Sequence, residues 1–136
     1  MYIINRIEMI NMKKNGFTLI EILAVIIILG VISLIAMPVV TNSLKESKDD
    51  LYDVQISNIR ESAKTWAADN INTLPTEANE SVIVTLKTLQ EDGYIDEEIK
   101  NPKTNELFST TGTCVKVSYT GKKYTYNVLL TDSECR

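Results

Sequence analysis

The sequence has no histidine, and it has only two cysteines among its 136 residues. Histidine is the commonest metal ligand and a frequent general base, so its absence removes the usual centre of acid–base and metal chemistry. Two lone cysteines do not make a zinc site. The chain also lacks a glycine-rich phosphate loop and paired acids at a recognisable catalytic spacing. The sequence therefore gives no support to an enzyme, and we expect neither a cofactor nor a bound metal.

Basic residues are too few to form a surface that attracts nucleic acid on average. The chain carries 14 Lys and Arg residues against 18 Asp and Glu residues. Beyond residue 16 the balance is 11 basic against 17 acidic residues, a net charge of about −6. The acidic clusters at 49–53 and 96–98 lack the spacing of an EF-hand calcium loop. We interpret them as solvated faces.

One long apolar run dominates the N-terminal third of the sequence. No residue from Ile22 to Leu44 is charged, and as a helix the run would be roughly 35 Å long, enough to cross a hydrocarbon core of about 30 Å. Lys13 and Lys14 precede the run, so the positive-inside rule places the N-terminus in the cytoplasm and the residues after Leu44 outside. A signal peptide is the alternative, but its apolar region is shorter and ends in a small-residue cleavage site.

A single carboxylate, Glu21, lies at the start of this run. An ionised side chain at mid-membrane costs about 2.5 to 3.5 kcal/mol on insertion scales, so such a group is usually paired and functional. If the chain is cut after Gly16, the new amine of Phe17 lies about 6 Å from Glu21 along the helix. The amine that pairs with Glu21 can belong to the same chain or to a neighbour; a neighbour would make the charge a device that selects one packing register. The alternative is that Glu21 lies near the interface and is simply hydrated.

The stretch KKNGFTLIEILAVIIILGVISLIAMPVV, from Lys13 to Val40, resembles the N-terminal signature of type IV pilins and of the pseudopilins of type II secretion and DNA-uptake systems. The shared features are a basic leader, a glycine, a phenylalanine, a glutamate at the fifth mature position and an apolar helix. The resemblance implies that a prepilin peptidase cuts after Gly16 and methylates the amine of Phe17. It also implies that Glu21 pairs with the terminal amine of an adjacent subunit in a filament.

The leader departs slightly from this pattern because it is long and rather apolar. The true start is therefore left open between Met1, Met9 and Met12. The shorter stretch GYIDEEIKNPKTNE resembles pilin-like proteins of Gram-positive bacteria. The resemblance implies a leader at 1–16, a transmembrane and filament-core helix at 17–44, and an extracytoplasmic head at 45–136.

Gly30 and Pro38 bracket a segment that we expect to be soft. Proline removes the helical hydrogen bond to the carbonyl of Leu34, and glycine weakens a helix by about 1 kcal/mol relative to alanine. The alternative is that both residues merely bend a membrane helix. The resemblance implies that this segment loses helical order in assembled filaments.

An apolar stripe continues the helix beyond the membrane. Its members recur at spacings of three and four residues on an otherwise charged helix: Tyr52, Ile56, Ile59, Ala63, Trp66 and Ala67. Asn70 and the Leu74–Pro75 pair mark its end. We therefore predict one helix from Phe17 to about Asn70.

The C-terminal part predicts β structure. Residues 81–89 predict a short strand, a turn and a helical turn that Gly93 closes. The stretch from Cys114 to Leu130 predicts a hairpin with Gly121 and Lys122 as a type II′ loop. This register places six apolar or aromatic residues on one face and polar residues on the other, with the pairs Tyr119–Tyr124, Val117–Tyr126 and Val115–Val128. The predicted fold class is α+β: a long N-terminal helix, half transmembrane, packed on a small antiparallel sheet, as in pilins.

Cys114 and Cys135 lie at the start of the first hairpin strand and beyond the second. A return of the tail would bring them within the roughly 5.5 Å between Cα atoms that a disulfide needs, and such a bond persists outside the cytoplasm. Two free thiols are the alternative. A disulfide-bounded C-terminal loop is also common in the family that the chain resembles.

The leading functional hypothesis is a structural filament subunit: a major or minor pilin, or a pseudopilin that drives secretion. Its partners would be copies of itself, other pilins, the prepilin peptidase, an assembly platform protein and the membrane. The alternative is a DNA-binding minor pilin of a competence apparatus. Its candidate surface is the cations and aromatic rings of the hairpin, namely Lys116, Lys122, Lys123, Tyr119, Tyr124 and Tyr126. Against it, the aromatic side is needed for the core and the net charge is acidic.

Overall fold

The computed structural model describes Gly16 and residues 18–136. Within this range the chain divides between Thr41 and Asn42 into two compact units, which are described separately. The predictions for the leader, and for cleavage and methylation at Phe17, lie outside the described residues except at Gly16. Helix α1 covers Leu19–Asp69, and the remaining elements follow in the second unit: a 3₁₀ turn at Ile71–Thr73, β1 at Ser81–Thr85, α2 at Leu86–Glu91, β2 at Cys114–Tyr119 and β3 at Tyr124–Leu129.

Helix α1 is 51 residues long and agrees with the single helix that the sequence predicts. Its first part is long and apolar enough to cross a membrane. Its last turn ends at Asn70, whose backbone N–H and side-chain amide each donate to the carbonyl of Trp66 at 2.9 Å. The side-chain amide thus adds a second hydrogen bond to a carbonyl of the last helical turn, one of several groups there that lack a continuing helix.

The predicted stripe of α1 forms one side of the core. Ile59, Ala63, Trp66 and Ala67 are buried, while Tyr52 and Ile56 are partly buried against the same cluster. The other side of the core comes from the sheet, from α2 and from the 95–108 segment, with the buried members Val84, Leu86, Leu89, Ile99, Phe108, Val115 and Val117. This agrees with the predicted burial of one face of the helix.

The sheet has three antiparallel strands in the order β1-β2-β3. The hairpin register is the predicted one, with Tyr119 opposite Tyr124, Val117 opposite Tyr126 and Val115 opposite Val128. Gly121 has φ 84°, the positive value that the first loop position of a type II′ turn requires. The predicted α+β fold class, a long apolar helix with a small antiparallel sheet, is confirmed.

The pairing of β1 with β2 adds a strand that sequence periodicity did not assign to this sheet. Val82 lies opposite Val117 and Val84 opposite Val115, so β1 extends the apolar face of the hairpin. Helix α2 follows at once because Thr85 caps it, accepting a hydrogen bond from the N–H of Thr88 at 3.2 Å. Gly93, at φ 78°, closes this turn as predicted.

The C-terminal tail returns to the start of β2. Cys114 and Cys135 form a disulfide with 5.6 Å between their Cα atoms, and both residues are buried. The tail also packs closely on Gly112, where a Cβ atom would collide with the carboxylate of Asp132. The predicted disulfide is present, and the alternative of two free thiols is not.

Candidate functional site at the start of the apolar helix

Thr18 caps the N-terminus of α1. Its hydroxyl accepts a hydrogen bond from the N–H of Glu21 at 3.3 Å, and its carbonyl accepts from the N–H groups of Glu21 and Ile22 at 3.0 and 3.3 Å. Thr18 and Glu21 have the Thr-x-x-Glu spacing of a capping box. This signal is present in the sequence, but periodicity and charge alone do not reveal it.

The Glu21 carboxylate is the acidic group of the first turn. It is exposed, and it forms neither an ion pair nor a hydrogen bond with any other residue that the structure describes. The positive end of the helix dipole stabilises an anion at this position by roughly 0.3 to 1 kcal/mol when it is exposed. Its neighbours Ile22, Val25 and Ile26 form a shallow, wholly apolar surface beside it. Among the described residues, this arrangement leaves one negative charge at the edge of an apolar helix surface with no cation paired to it.

Gly16 is the only part of the predicted cleavage site inside the described range. It is exposed, and a Cβ atom built on it would meet nothing within 4 Å. Cleavage after Gly16 stays a prediction.

Two hydroxyl groups on the apolar part of α1 bond to the backbone of the helix itself. The Ser33 hydroxyl donates to the carbonyl of Leu29 at 2.7 Å, and the Thr41 hydroxyl donates to the carbonyl of Pro38 at 3.0 Å. Both polar groups are satisfied by the helix's own backbone, which suits a segment surrounded by lipid. The helix is continuous through Gly30 and Pro38 in this structure. The expected softening of the 30–38 segment stays a prediction.

Polar contacts join the second half of α1 to the rest of the head. Arg60 donates from Nε to the carbonyl of Tyr126 at 3.2 Å, and Trp66 donates from Nε1 to Asp92 at 3.1 Å. The hydroxyl of Tyr94 donates to the carboxylate of Asp69 at 2.8 Å, and this bond raises the pKa of Tyr94 above its ordinary value. None of these partners could be assigned from sequence, because each pair joins residues at least 25 positions apart.

The residues of the alternative nucleic-acid surface do not all lie together. Tyr119, Tyr124 and Tyr126 lie on the core face and are partly buried, and the hydroxyl of Tyr124 donates to the carbonyl of Pro75 at 2.9 Å. Lys116 lies on the opposite face of the sheet because its strand position is of the other parity. Lys122 and Lys123 remain exposed at the hairpin tip. The combination of cations and open rings that single strands require is therefore divided between two faces.

Within Gly16 and residues 18–136, no group of three or more metal-ligating side chains is close enough to hold an ion. The two acidic clusters of the sequence thus gain no additional ligand from the fold. They remain interpreted as solvated faces.

Residues 11–37 match the family model of the prokaryotic N-terminal methylation motif. This motif is the signature of type IV pilins and pseudopilins, proteins that are structural rather than enzymatic, and the match covers 27 of the 136 residues of the chain. Together with the apolar helix, it indicates membrane anchoring and assembly with other pilins after processing by a prepilin peptidase. No curated protein and no solved structure matches the chain.

Proposed function

We propose that the chain is a structural subunit of a type IV pilus-like filament or of a related pseudopilus. A prepilin peptidase removes residues 1–16 and methylates the new terminus at Phe17. Residues 17–44 first anchor the subunit in the cytoplasmic membrane and later form part of the filament core. Residues 45–136 form the head, which lies outside the membrane. In this proposal the chain has no catalytic role of its own.

The observation that supports this proposal most strongly is that the carboxylate of Glu21 has no partner among the described residues. Its carboxylate lies in the first turn of an apolar helix, five residues after Gly16, and no other described residue neutralises it. The local helix cap uses the hydroxyl of Thr18 and leaves the carboxylate itself uncommitted. A charge in this position is stable beside a packed apolar helix only when that helix supplies a cation.

Cleavage after Gly16 creates such a cation. The α-amine of the new Phe17 terminus is positively charged near neutral pH, and in a neighbouring subunit it can lie against Glu21. Packing in that register neutralises both charges, whereas other registers bury at least one of them alone. Trimming and assembly are therefore coupled by electrostatics.

The orientation of the subunit follows from the basic leader and from the disulfide. Lys13 and Lys14 favour a cytoplasmic N-terminus. The bond between Cys114 and Cys135 is of the kind that persists in oxidising surroundings. Both features support a head outside the cytoplasm and a location on the cell surface after assembly.

The first test concerns processing. We expect the intact mass of the protein from its native host to fall by the leader and to rise by one methyl group. The full-length chain should accumulate when the prepilin peptidase is deleted. Unprocessed chain in cells that contain the peptidase would contradict the proposal.

The second test concerns Glu21. The Glu21→Gln subunit, expressed with an equal amount of wild type, should be depleted from sheared filaments by an order of magnitude or more. Thr18→Ala is the matched control, because it removes the helix cap at a cost of about 1 kcal/mol but keeps the charge. Equal incorporation of Glu21→Gln and wild type would end the pairing mechanism, and equal losses for both variants would assign Glu21 to helix capping alone.

A further inference from the structure

The rest of the head covers part of one outer edge of the three-stranded sheet, at β3, and leaves the other edge, at β1, without a hydrogen-bond partner among the described residues. The backbone groups of Tyr119, in β2, bond to the two residues just before β1: the N–H donates to the carbonyl of Glu80, and the carbonyl accepts from the N–H of Asn79. Strand pairing alternates, so Val82 and Val84 also face β2, and the backbone groups of Ser81 and Ile83 face away from the sheet. The latter groups have no hydrogen-bond partner among the described residues.

The opposite edge, formed by β3, is partly covered. The carbonyl of Tyr126 faces outward and accepts the hydrogen bond from Arg60 of helix α1. Lys64 of the same helix lies 6.0 Å from the centre of the Tyr126 ring. The helix thus places two cations along β3 and closes part of that edge to another strand. No such contact reaches β1 from any described residue.

Strand β1 also lacks the sequence features that protect an edge. Its residues, Ser-Val-Ile-Val-Thr, include no charge, proline or glycine, and three of the five are β-branched aliphatic residues. Natural proteins discourage pairing at open edges with lysine, proline, bulges or a covering segment. An unprotected edge of this composition is suited to strand addition, in which main-chain hydrogen bonds supply the affinity.

We propose that β1 pairs with β1 of a second copy of the chain, antiparallel and about a two-fold axis at Ile83. The strand reads almost the same in both directions, a hydroxyl residue, Val, Ile, Val and a hydroxyl residue. In this register Ser81 lies opposite Thr85 of the second copy, and Val82 lies opposite Val84 of it. Side chains then keep alternating between the two faces across the new strand pair, so the apolar faces of the two sheets form one continuous surface.

The flanking charges favour the same partner. Glu80 precedes the strand and Lys87 follows it in α2, and the antiparallel register sets Glu80 opposite Leu86 of the second copy, one residue from that copy's Lys87. Within one chain Lys87 is exposed and has only a loose contact with Glu91 at 3.7 Å. A strand from an unrelated protein would match neither the palindromic pattern nor this exchange of charges.

The symmetry of this contact determines where it operates. Subunits within a polar filament follow one another by a single repeated screw operation, which a two-fold contact does not reproduce. The two-fold axis is normal to the sheet and reverses the direction of the helix that packs on it. Pairing of β1 therefore joins subunits of two filaments that lie side by side and run in opposite directions. One five-residue pair is weak alone, but many copies along two filaments act together. The contact does not depend on Glu21.

The test uses the full chain in its native host and a cysteine at the two-fold axis. Residues opposite each other in a hydrogen-bonded antiparallel pair have Cα atoms about 5.5 Å apart, within the range of a disulfide. Mild oxidation of cells should convert most of the Ile83→Cys protein into a species of twice the chain mass. Asn127→Cys is the matched control, because Asn127 is exposed on the same face of the sheet but lies on β3; it should cross-link several-fold less. Equal cross-linking of the two variants, or a cross-link to a different protein, would overturn the proposal.

Two further variants separate pairing from folding. Ile83→Pro removes only an outward N–H, since the bonds to β2 come from Val82 and Val84, and proline is tolerated at such edge positions. It should abolish lateral association of filaments while leaving the Cys114–Cys135 bond and the filament yield intact. Glu80→Lys or Lys87→Glu alone should weaken association, and the double exchange should restore it. If the double exchange does not restore the lateral association that each single variant loses, the proposed register is wrong. Loss of filaments with Glu21→Gln is a separate result, which concerns only the assembly mechanism.

Discussion

The ammonium group of Lys103 lies 3.0 Å from the carboxylate of Asp49, and the two residues join the 101–105 turn to helix α1. The same ammonium group lies 4.3 Å from the ring centre of Tyr52, whose ring is 6.3 Å from that of Phe108. One cation therefore contacts both an anion and an aromatic face. The hydrogen bond with Asp49 raises the pKa of Lys103 above its ordinary value.

Loss of the Lys103 charge should loosen this turn. In Lys103→Met we expect faster hydrogen exchange at the amides of Asn101 and Asn105, which bond to Glu106 and Asn101 respectively. Both groups of the ion pair are about half exposed, so the effect on global unfolding should be small. Lys122→Met, at the hairpin tip, is the control and should leave exchange in the turn unchanged. Unaltered exchange in Lys103→Met would show that the turn is held by its own backbone bonds.

Tyr94 and Tyr126 should ionise at a pH above the ordinary tyrosine pKa. The hydrogen bond to Asp69 raises the pKa of Tyr94, and burial raises the pKa of Tyr126. Because the folded pKa lies above the unfolded value of about 10, each group stabilises the fold fully below that pH. The stabilisation is lost as pH rises through the folded pKa. Tyrosinate absorbance should show Tyr94 ionising late, and Asp69→Asn should move that phase to lower pH; an unmoved phase would contradict the assigned cause.

Truncation of Ile59 should destabilise the head strongly. The side chain is fully buried, so Ile59→Ala removes core contacts and leaves a cavity at a cost of about 2 to 5 kcal/mol. Leu51→Ala is the matched control on the exposed side of the same helix, where the cost should be within about 0.5 kcal/mol. Denaturant unfolding of the full chain in detergent, followed by the fluorescence of Trp66, measures both. Similar costs for the two variants would contradict the assigned helix face.

Removal of the disulfide should destabilise the head as well. The bond joins residues 21 positions apart, and closing a loop of about this size contributes on the order of 3 kcal/mol in the chain-entropy model. The double variant Cys114→Ala with Cys135→Ala should unfold at a clearly lower denaturant concentration than the oxidised wild type. Reductant should shift the wild type in the same direction and leave the double variant unchanged. A reductant effect on the double variant would show a cause other than this bond.

Replacement of Gly30 should stiffen the apolar helix. No neighbouring atom lies within 4 Å of a Cβ at this position, so Gly30→Ala acts through helix propensity alone, by about 1 kcal/mol. Amide exchange in micelles should slow around Ser33 and Leu34, where Pro38 already removes one hydrogen bond. Ala36→Gly is the inverse control and should accelerate exchange there. Equal exchange in both variants would argue against a soft segment between Gly30 and Pro38.

Sequence periodicity predicted most of the fold because the relevant signals are local. The apolar stripe of α1 repeats every three to four residues, and the hairpin from Cys114 to Leu130 alternates every second residue around a Gly121 turn. Each pattern identifies its element and its buried face without reference to a distant partner. Glu21 could also be singled out from sequence, since one charge in an apolar run needs no tertiary information. The cap by Thr18 also follows a local Thr-x-x-Glu spacing, which neither periodicity nor charge reveals.

The sequence alone determined the leader motif, the anchor helix, the hairpin register and the pair of cysteines available for bonding. Only the tertiary structure decided that β1 joins β2, that Arg60 covers the β3 edge while the β1 edge stays open, and that Lys103 reaches Asp49. These contacts join residues far apart in the chain, and many alternative partners have the same polarity and size. Their choice depends on how the elements pack around a shared core, which no local pattern encodes.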